Sequence, residues 1–318
     1  MRKQRMAGRV LFTAVVLVSM ATPAVSRAGG VSVGGTCTGD ANGDGQVGIS
    51  ELIAAVDNAL SGCGLQPLVL HFAGKVGDQT FACGQRYEGI GTSASEIIPS
   101  DFRFYISNIR LLTADDREIP LSLDQDGLWQ FEDVALLDFE NKTPPCSMGT
   151  TDVNDTVRGK APAGDYHGVR FTLGIPFRLG HQDTSTAKPP FDLSGMFWDW
   201  QGGYKFLRID EATDLFRVHL GSTMCVSRAP TAPPTAPCGR PNMGEVILHD
   251  FDPASNVIVA DMAALLADSD LANNTPDTSV GCQSDFNDPD CGPIFSNMGI
   301  NFDNGLPDPS RQKFFRVE

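Results

Sequence analysis

Positive charge is scarce in this 318-residue sequence: 24 Lys and Arg stand against 39 Asp and Glu, a formal net charge of −15. A chain this acidic is repelled by phosphate backbones and anionic lipid, which sets nucleic-acid and membrane-surface binding aside. It suits cations or a basic partner. Catalytic signatures are also lacking. There is no Cys-x-x-Cys pair, no phosphate-binding P-loop and no His-Glu-x-x-His helix, which removes the common zinc, nucleotide and metalloprotease readings. Asp and Glu are too scattered to define a glycosidase pair, which needs a fixed separation between two carboxyls. After the first 28 residues no run is long and apolar enough to be a membrane helix. Histidine (five) and tryptophan (three) are few enough to be weighed singly.

The N-terminus reads as a secretory signal over residues 1–28. "MRKQRMAGR" is basic and free of acid, "VLFTAVVLVSMA" is a short apolar core, and Ser26 and Ala28 supply the small residues of a cleavage site. Cleavage before Gly29 removes five basic residues (Arg2, Lys3, Arg5, Arg9, Arg27) and no acid, taking the charge from −15 to −20. Eight cysteines follow: Cys37, Cys63, Cys83, Cys146, Cys225, Cys238, Cys282 and Cys291. An even count in an exported, periplasmic or secreted chain favours disulfides. Connectivity is open from sequence; pairing neighbours gives 37–63, 83–146, 225–238 and 282–291.

Residues 29–64 hold a candidate calcium loop, "DANGDGQVGISE". Against the twelve-residue EF-hand pattern, Asp40, Asn42, Asp44 and Glu51 supply side-chain oxygens at positions 1, 3, 5 and 12. Gln46 gives a backbone carbonyl, and Gly45 allows the sharp turn. "ISELIAAVDNALSG" reads as the exiting helix, stopped by Gly62. The segment resembles a dockerin-type repeat, but a single copy favours a calcium-stapled cap over cohesin docking.

From Leu65 to the end the pattern is all-β. "LVLHFAGKV", "DFRFYISNIRLL", "YHGVRFTLGI", "YKFLRID" and "LFRVHLGS" alternate with period two between Gly, Pro, Asn and Asp. This predicts an antiparallel sandwich or barrel with long disulfide-tied loops. One helical run, residues 259–272, carries Asp261 as a possible N-cap. In "FWDWQGGYKF", Trp198 and Trp200 are two apart, so a strand would put both indoles on one face. In their strands His71 lies opposite Leu70 and Phe72, and His219 opposite Val218 and Leu220. Each is either a hydrogen-bonded strand histidine or a ligand. His167 and His249 read as solvent-facing.

The ordered motifs "FACGQRYEGIGT", "PSDFRFYISNIRLL", "LWQFEDVALLDFEN", "GDYHGVRFTLGIPF", "MFWDWQGGYKFLRID", "VHLGSTMC" and "GCQSDFNDPDC" resemble the MbnP-like family. These exported copper proteins are also described as the four-cysteine member of a metallo-mystery pair. The resemblance implies copper held by histidines, here His181 of "LGHQD", His219 and His71. It also implies a diheme c-type cytochrome partner, related to the cytochrome c peroxidases, that oxidises a tryptophan to kynurenine. Trp198 or Trp200 is the expected site, with Trp129 third. Gly180 stands where the family has Asn. Met224 stands where it has Gly, and offers a soft thioether beside Cys225. On this reading the chain is the substrate of that chemistry and not an enzyme. The alternative is a calcium-stabilised β-sandwich that binds carbohydrate or a surface protein, with Trp198, Trp200 and Tyr204 as a stacking platform.

Overall fold

Alternation is clearest in strand β1, Leu65–Val76, where Leu70 and Phe72 are buried and His71 between them is exposed. Strand β4, Thr156–Pro162, repeats it, with Val157, Gly159 and Ala161 buried and Arg158 and Lys160 exposed. Such strands have one face on a core and one in water. The computed structural model describes residues 39, 46–61, 64–229 and 231–318. It divides the chain into two compact units, residues 1–57 and 58–318.

In the first unit, helix α1 (Ile49–Ser61) begins where the Gly48 amide donates to Glu51 Oε2 at 2.6 Å. Gln46 and Glu51 are described. Asp40, Asn42, Asp44, Cys37, Cys63 and the signal segment lie outside the described residues. Among the described residues no helix is long and apolar enough to cross a membrane.

The second unit is mostly β. Its main strands, in chain order, are β1, β2 (Pro99–Thr113), β3 (Val134–Asp138), β4, β5 (Tyr166–Leu173), β6 (Leu207–Glu211), β7 (Arg217–Leu220), β8 (Gly244–His249), β9 (Val257–Asp261) and β10 (Phe315–Val317). A six-stranded sheet runs β10–β9–β1–β4 and ends on the short strand Ser122–Leu123; only β1 and β9 pair in parallel. An eight-stranded antiparallel sheet runs β7–β6–β2–β5–β8, with β3 also pairing with β2. The sheets meet face to face through aromatic rings. Phe72 of the first contacts Phe104 and Phe171 of the second, and Phe315 contacts the same two. The architecture is a sandwich, not a closed barrel.

Strand β2 places Phe102 and Phe104 in that core. Asp101, Arg103 and Tyr105 therefore face away from it, yet all three are fully buried. Residues 176–205 cover them: Tyr105 stacks on Phe191 at 5.6 Å and donates its hydroxyl to the Pro190 carbonyl at 2.7 Å. Three disulfides form among the described residues, Cys83–Cys146, Cys225–Cys238 and Cys282–Cys291, each joining neighbours along the chain. Helix α2 (Met262–Leu266) starts at Asp261, whose carboxylate accepts from the Ala263 and Ala264 amides. A last short helix, Cys291–Asn297, follows.

Candidate metal centre

The segment around the tryptophan pair is a tight turn, not a strand. Phe197 and Tyr204 bridge it, the Trp198 amide donates to the Gly203 carbonyl at 3.0 Å, and the Gly203 amide donates to the Asp199 carbonyl at 2.8 Å. Asp199 also caps it from its side chain, accepting from the Gly202 amide at 2.6 Å. An Asp followed three and four residues later by Gly is turn chemistry, and here it overrides alternation. The shared indole face expected for Trp198 and Trp200 is therefore absent, because Trp200 sits within the turn.

The two tryptophans have different surroundings. The Trp198 ring lies on Gly221, where a Cβ would stand 2.3 Å from its Cζ3; only glycine fits. Lys205 Nζ is 6.0 Å from the ring centroid. Trp200 meets Phe197 edge to face at 6.4 Å, and its carbonyl lies 3.3 Å from His181 Nδ1. Tyr204 is buried, with its hydroxyl donating to the Phe191 carbonyl, so the three-ring platform does not form. Trp129 packs against the core instead.

Gly203 explains how His181 reaches the turn. Its φ is +75°, and a Cβ there would stand 2.2 Å from the Gly180 carbonyl and 2.8 Å from His181 Nδ1. The Tyr204 amide donates to that same Gly180 carbonyl at 3.1 Å. Because the Trp200 carbonyl can only accept, Nδ1 carries the hydrogen and Nε2 presents its lone pair. Nε2 lies 3.7 Å from Cys238 Sγ. Burial pushes the His181 pKa below its ordinary value, favouring neutral imidazole. The Cys225–Cys238 loop is docked on the turn by Gln201, whose amide donates to the Cys225 carbonyl at 2.7 Å. An open cleft of about 620 Å³ lies between them, lined by Trp198, Asp199, Gln201, Ser222, Met224 and Cys225.

His219 is held differently. Alternation sets it on the outer face of β7, but it is only 6 % exposed. Residues 282–284 continue the sheet along the free edge of its strand. The His219 amide donates to the Cys282 carbonyl at 2.9 Å, and Ser284 Oγ donates to the His219 carbonyl at 2.9 Å. Its Nε2 meets Asp210 Oδ1 at 2.7 Å, while Nδ1 is buried without a hydrogen-bond partner. Burial lowers the His219 pKa, against the opposing pull of Asp210. For Asp210, burial works upward, but His219 and Arg208 hold it well below the ordinary carboxylate range. We read the pair as neutral imidazole donating to an ionised carboxylate that Arg208 also grips, at 2.5 Å and 2.7 Å. A carboxylate behind a histidine is how proteins fix the tautomer of a metal ligand.

That pair ends a buried charged row on the outer face of the second sheet. Arg103 is bidentate on Asp101 at 2.8 Å and 2.5 Å, and Arg208 lies 3.1 Å from Asp101. Lys205 and Arg208 share the Gly195 carbonyl, at 3.0 Å and 2.6 Å. Burial, with Arg208 beside it, lowers the Lys205 pKa to about 8. The sequence reading missed Lys205, Arg208 and Asp210. The signal was the β6–β7 hairpin, which sets Arg208 opposite His219 and Asp210 opposite Arg217.

Among the described residues His71, His181 and His219 do not form one ligand group. His71 lies on the outer face of the first sheet, across the sandwich from His219. There it shares an open groove of about 720 Å³ with His167 and Asp252. Its exposed position follows from its place between Leu70 and Phe72. His167 and His249 are exposed, as expected. Among the described residues, His, Cys, Asp and Glu ligand atoms gather in threes at two places, His181 with Cys225 and Cys238, and Glu140 with Cys83 and Cys146. In both the cysteines are disulfide-bonded, so no thiolate is offered.

Comparison with family models finds MbnP, matching residues 65–284. Comparison with curated proteins finds no match. Among solved structures, MbnP from Methylosinus trichosporium is similar, with 28% identity and a TM-score of 0.69 over 80% of this chain and 98% of that one.

Proposed function

The chain belongs to the MbnP family, and from that premise we propose that it is an exported copper-binding protein whose Trp198 is converted to kynurenine by a diheme, peroxidase-related cytochrome. One observation carries the reading: Trp198 touches the surroundings of both histidines. Its ring rests on Gly221, two residues beyond His219, and its amide pairs with Gly203, which abuts His181. It also lines the open cleft, where a partner has access. Trp200 is spent on holding the turn and His181.

The donor set suits copper in its soft, reduced form. His181 would bind through Nε2 and Met224 through its thioether; Met224 is 56% exposed at the cleft. His219 offers a buried Nδ1 without a partner, oriented from behind by Asp210. Bound copper would supply a redox-active, sulfur-tolerant centre. His71, across the sandwich, is left out of the set. The role of the bound metal is acquisition, storage or sensing of copper.

The modification balances with hydrogen peroxide as the partner's oxidant. Cleavage of the indole C2–C3 bond adds an oxygen to each carbon. Each oxygen comes from one peroxide, whose other oxygen leaves as water. Hydrolysis of the formyl group then releases formate and leaves the kynurenine aniline. The acidic surface of the mature chain suits salt-sensitive docking to a basic face of such a partner. The loop Asp40–Glu51 is read as a separate calcium clasp.

Peptide mass spectrometry and metal analysis of protein from its native host test this. The expected result is a peptide ending at Lys205 that has gained one oxygen and lost one carbon at Trp198, in a sample containing copper. Intact tryptophans and no copper would overturn it. Calcium retained on dialysis and released by a chelator is expected for the N-terminal loop.

A further inference from the structure

We propose that the Cys225–Cys238 disulfide is a reducible latch, and that opening it turns the His181 corner into a thiolate-rich site for a thiophilic cation such as Cu(I), built from His181, Cys225 and Cys238, with His181 Nε2 serving this site in place of the earlier one. The inference goes beyond the copper reading above and shares only His181 with it; it needs no kynurenine.

Three observations meet at this place. First, the geometry is already a ligand set: one nitrogen and two sulfurs, all within 4.8 Å of one another. Second, His181 is pre-aimed. Its Nδ1 is engaged by the Trp200 carbonyl, and the bare Nε2 points toward Cys238 Sγ at 3.7 Å. Gly203 permits this close seat, since any Cβ would strike the ring. Third, the latch is reachable. Cys225 lines the open cleft, and the thirteen-residue separation to Cys238 is spanned by the proline-rich loop "VSRAPTAPPTAP". Cys282–Cys291, by contrast, is sealed, at 1 % and 0 % exposure. Cys225 is 8 % exposed and Cys238 half-buried, so a small reductant meets Cys225–Cys238 before Cys282–Cys291.

The reaction is thiol–disulfide exchange with a dithiol. A thiolate of the reductant attacks one sulfur, the S–S bond breaks, and the second reductant sulfur closes its own disulfide. Two electrons pass to the protein, which gains two thiols. Each thiol loses its proton when it binds the cation, and His181 adds its lone pair. Soft sulfur donors with one imidazole favour Cu(I) over hard cations. The Gln201 bond to the Cys225 carbonyl keeps that cysteine on the turn after the S–S bond is gone.

The test uses the purified mature chain under anaerobic conditions, limited dithiol, thiol alkylation with peptide mapping, and Cu(I) titration against a chromophoric chelator. Cys225 and Cys238 are expected to label before Cys282 and Cys291. The reduced protein should win Cu(I) from the chelator roughly tenfold more tightly than the untreated protein. The gain should vanish in the Cys225→Ser/Cys238→Ser double variant. His181→Gln should weaken the added site roughly tenfold, with the labelling order unchanged. No gain on reduction, a gain that survives in the double variant, or another disulfide opening first would overturn the latch. Copper in the untreated protein reports on the earlier reading and the tightening on reduction on this one, so the two can fail separately.

Discussion

The two outer faces of the sandwich are built on the same alternation and end in opposite environments. On the first sheet, His71, Arg158 and Lys160 stand in water. On the second, Asp101, Arg103, Arg208, Asp210 and His219 hold the equivalent outward positions and are buried. The backbone does not make the difference. Residues 176–205 lie over the second sheet, residues 282–284 close its edge beside β7, and nothing described lies over the first at His71. A roof turns an ordinary polar face into a low-dielectric chamber, where charges must be paired and a neutral histidine is favoured. The site chemistry comes from the roof and the charged row together.

Removing the central carboxylate should break this contrast most severely. Asp210→Ala leaves the buried His219 imidazole without its carboxylate and Arg208 with Asp101 and the Gly195 carbonyl alone, and is expected to cost about 3–5 kcal/mol in urea unfolding. Lys160→Ala on the open face should stay within about 0.5 kcal/mol. Similar losses for both would mean that water reaches the roofed row. Next in size is Gly221→Ala. Its methyl displaces the Trp198 ring, with an expected cost of about 1–3 kcal/mol and a shift in tryptophan emission. Unchanged emission would put the indole elsewhere.

Titration sharpens the contrast with smaller effects. Burial raises the Asp138 carboxyl to about 8, against the pull of Arg103. Its folded value lies above its ordinary one, so its contribution is complete below the ordinary carboxylate range and is lost as pH rises through about 8. Lys205, lowered to about 8, acts in the opposite sense: stability should rise with pH between about 8 and its ordinary value. Asp138→Asn and Lys205→Met should each remove their own slope from a plot of unfolding free energy against pH. If both slopes survive in the variants, the assignments fail. Smallest of all is His71→Ala, expected to leave copper content unchanged, whereas His181→Ala should lose it. Metal analysis of the two variants decides between a site on the roofed face and one spread across the fold.

Much of the framework was legible in the sequence. Alternation located β1, β2 and β5 to β7, and Asp261 announced its helix. Three of the four expected neighbour pairs of cysteines formed, the fourth lying outside the described residues, and the histidines at 167 and 249 faced solvent as read. The site was legible only in part. Asp199 and Gly203 made a turn where Trp198 and Trp200 alone suggested a strand. Alternation could not distinguish His71 from His219, because it reports which face a residue occupies and not what later covers that face. The residues that close the strand edge at His219, Cys282 and Ser284, lie more than sixty positions further on. Local pattern carries no information over that span.

The clamp on His219 also has a consequence in time. Strand β1 pairs with β9, and the His219 backbone is held by Cys282 and Ser284, so both closures wait for the last fifth of the chain. A chain delivered from its N-terminus cannot finish this chamber early; folding dominated by such distant pairings is slow. The strand edge at His219 thus closes only once residues 282–284 have arrived. A half-delivered molecule presents an unfinished chamber, so completeness of the polypeptide is itself the condition for closing the strand edge at His219.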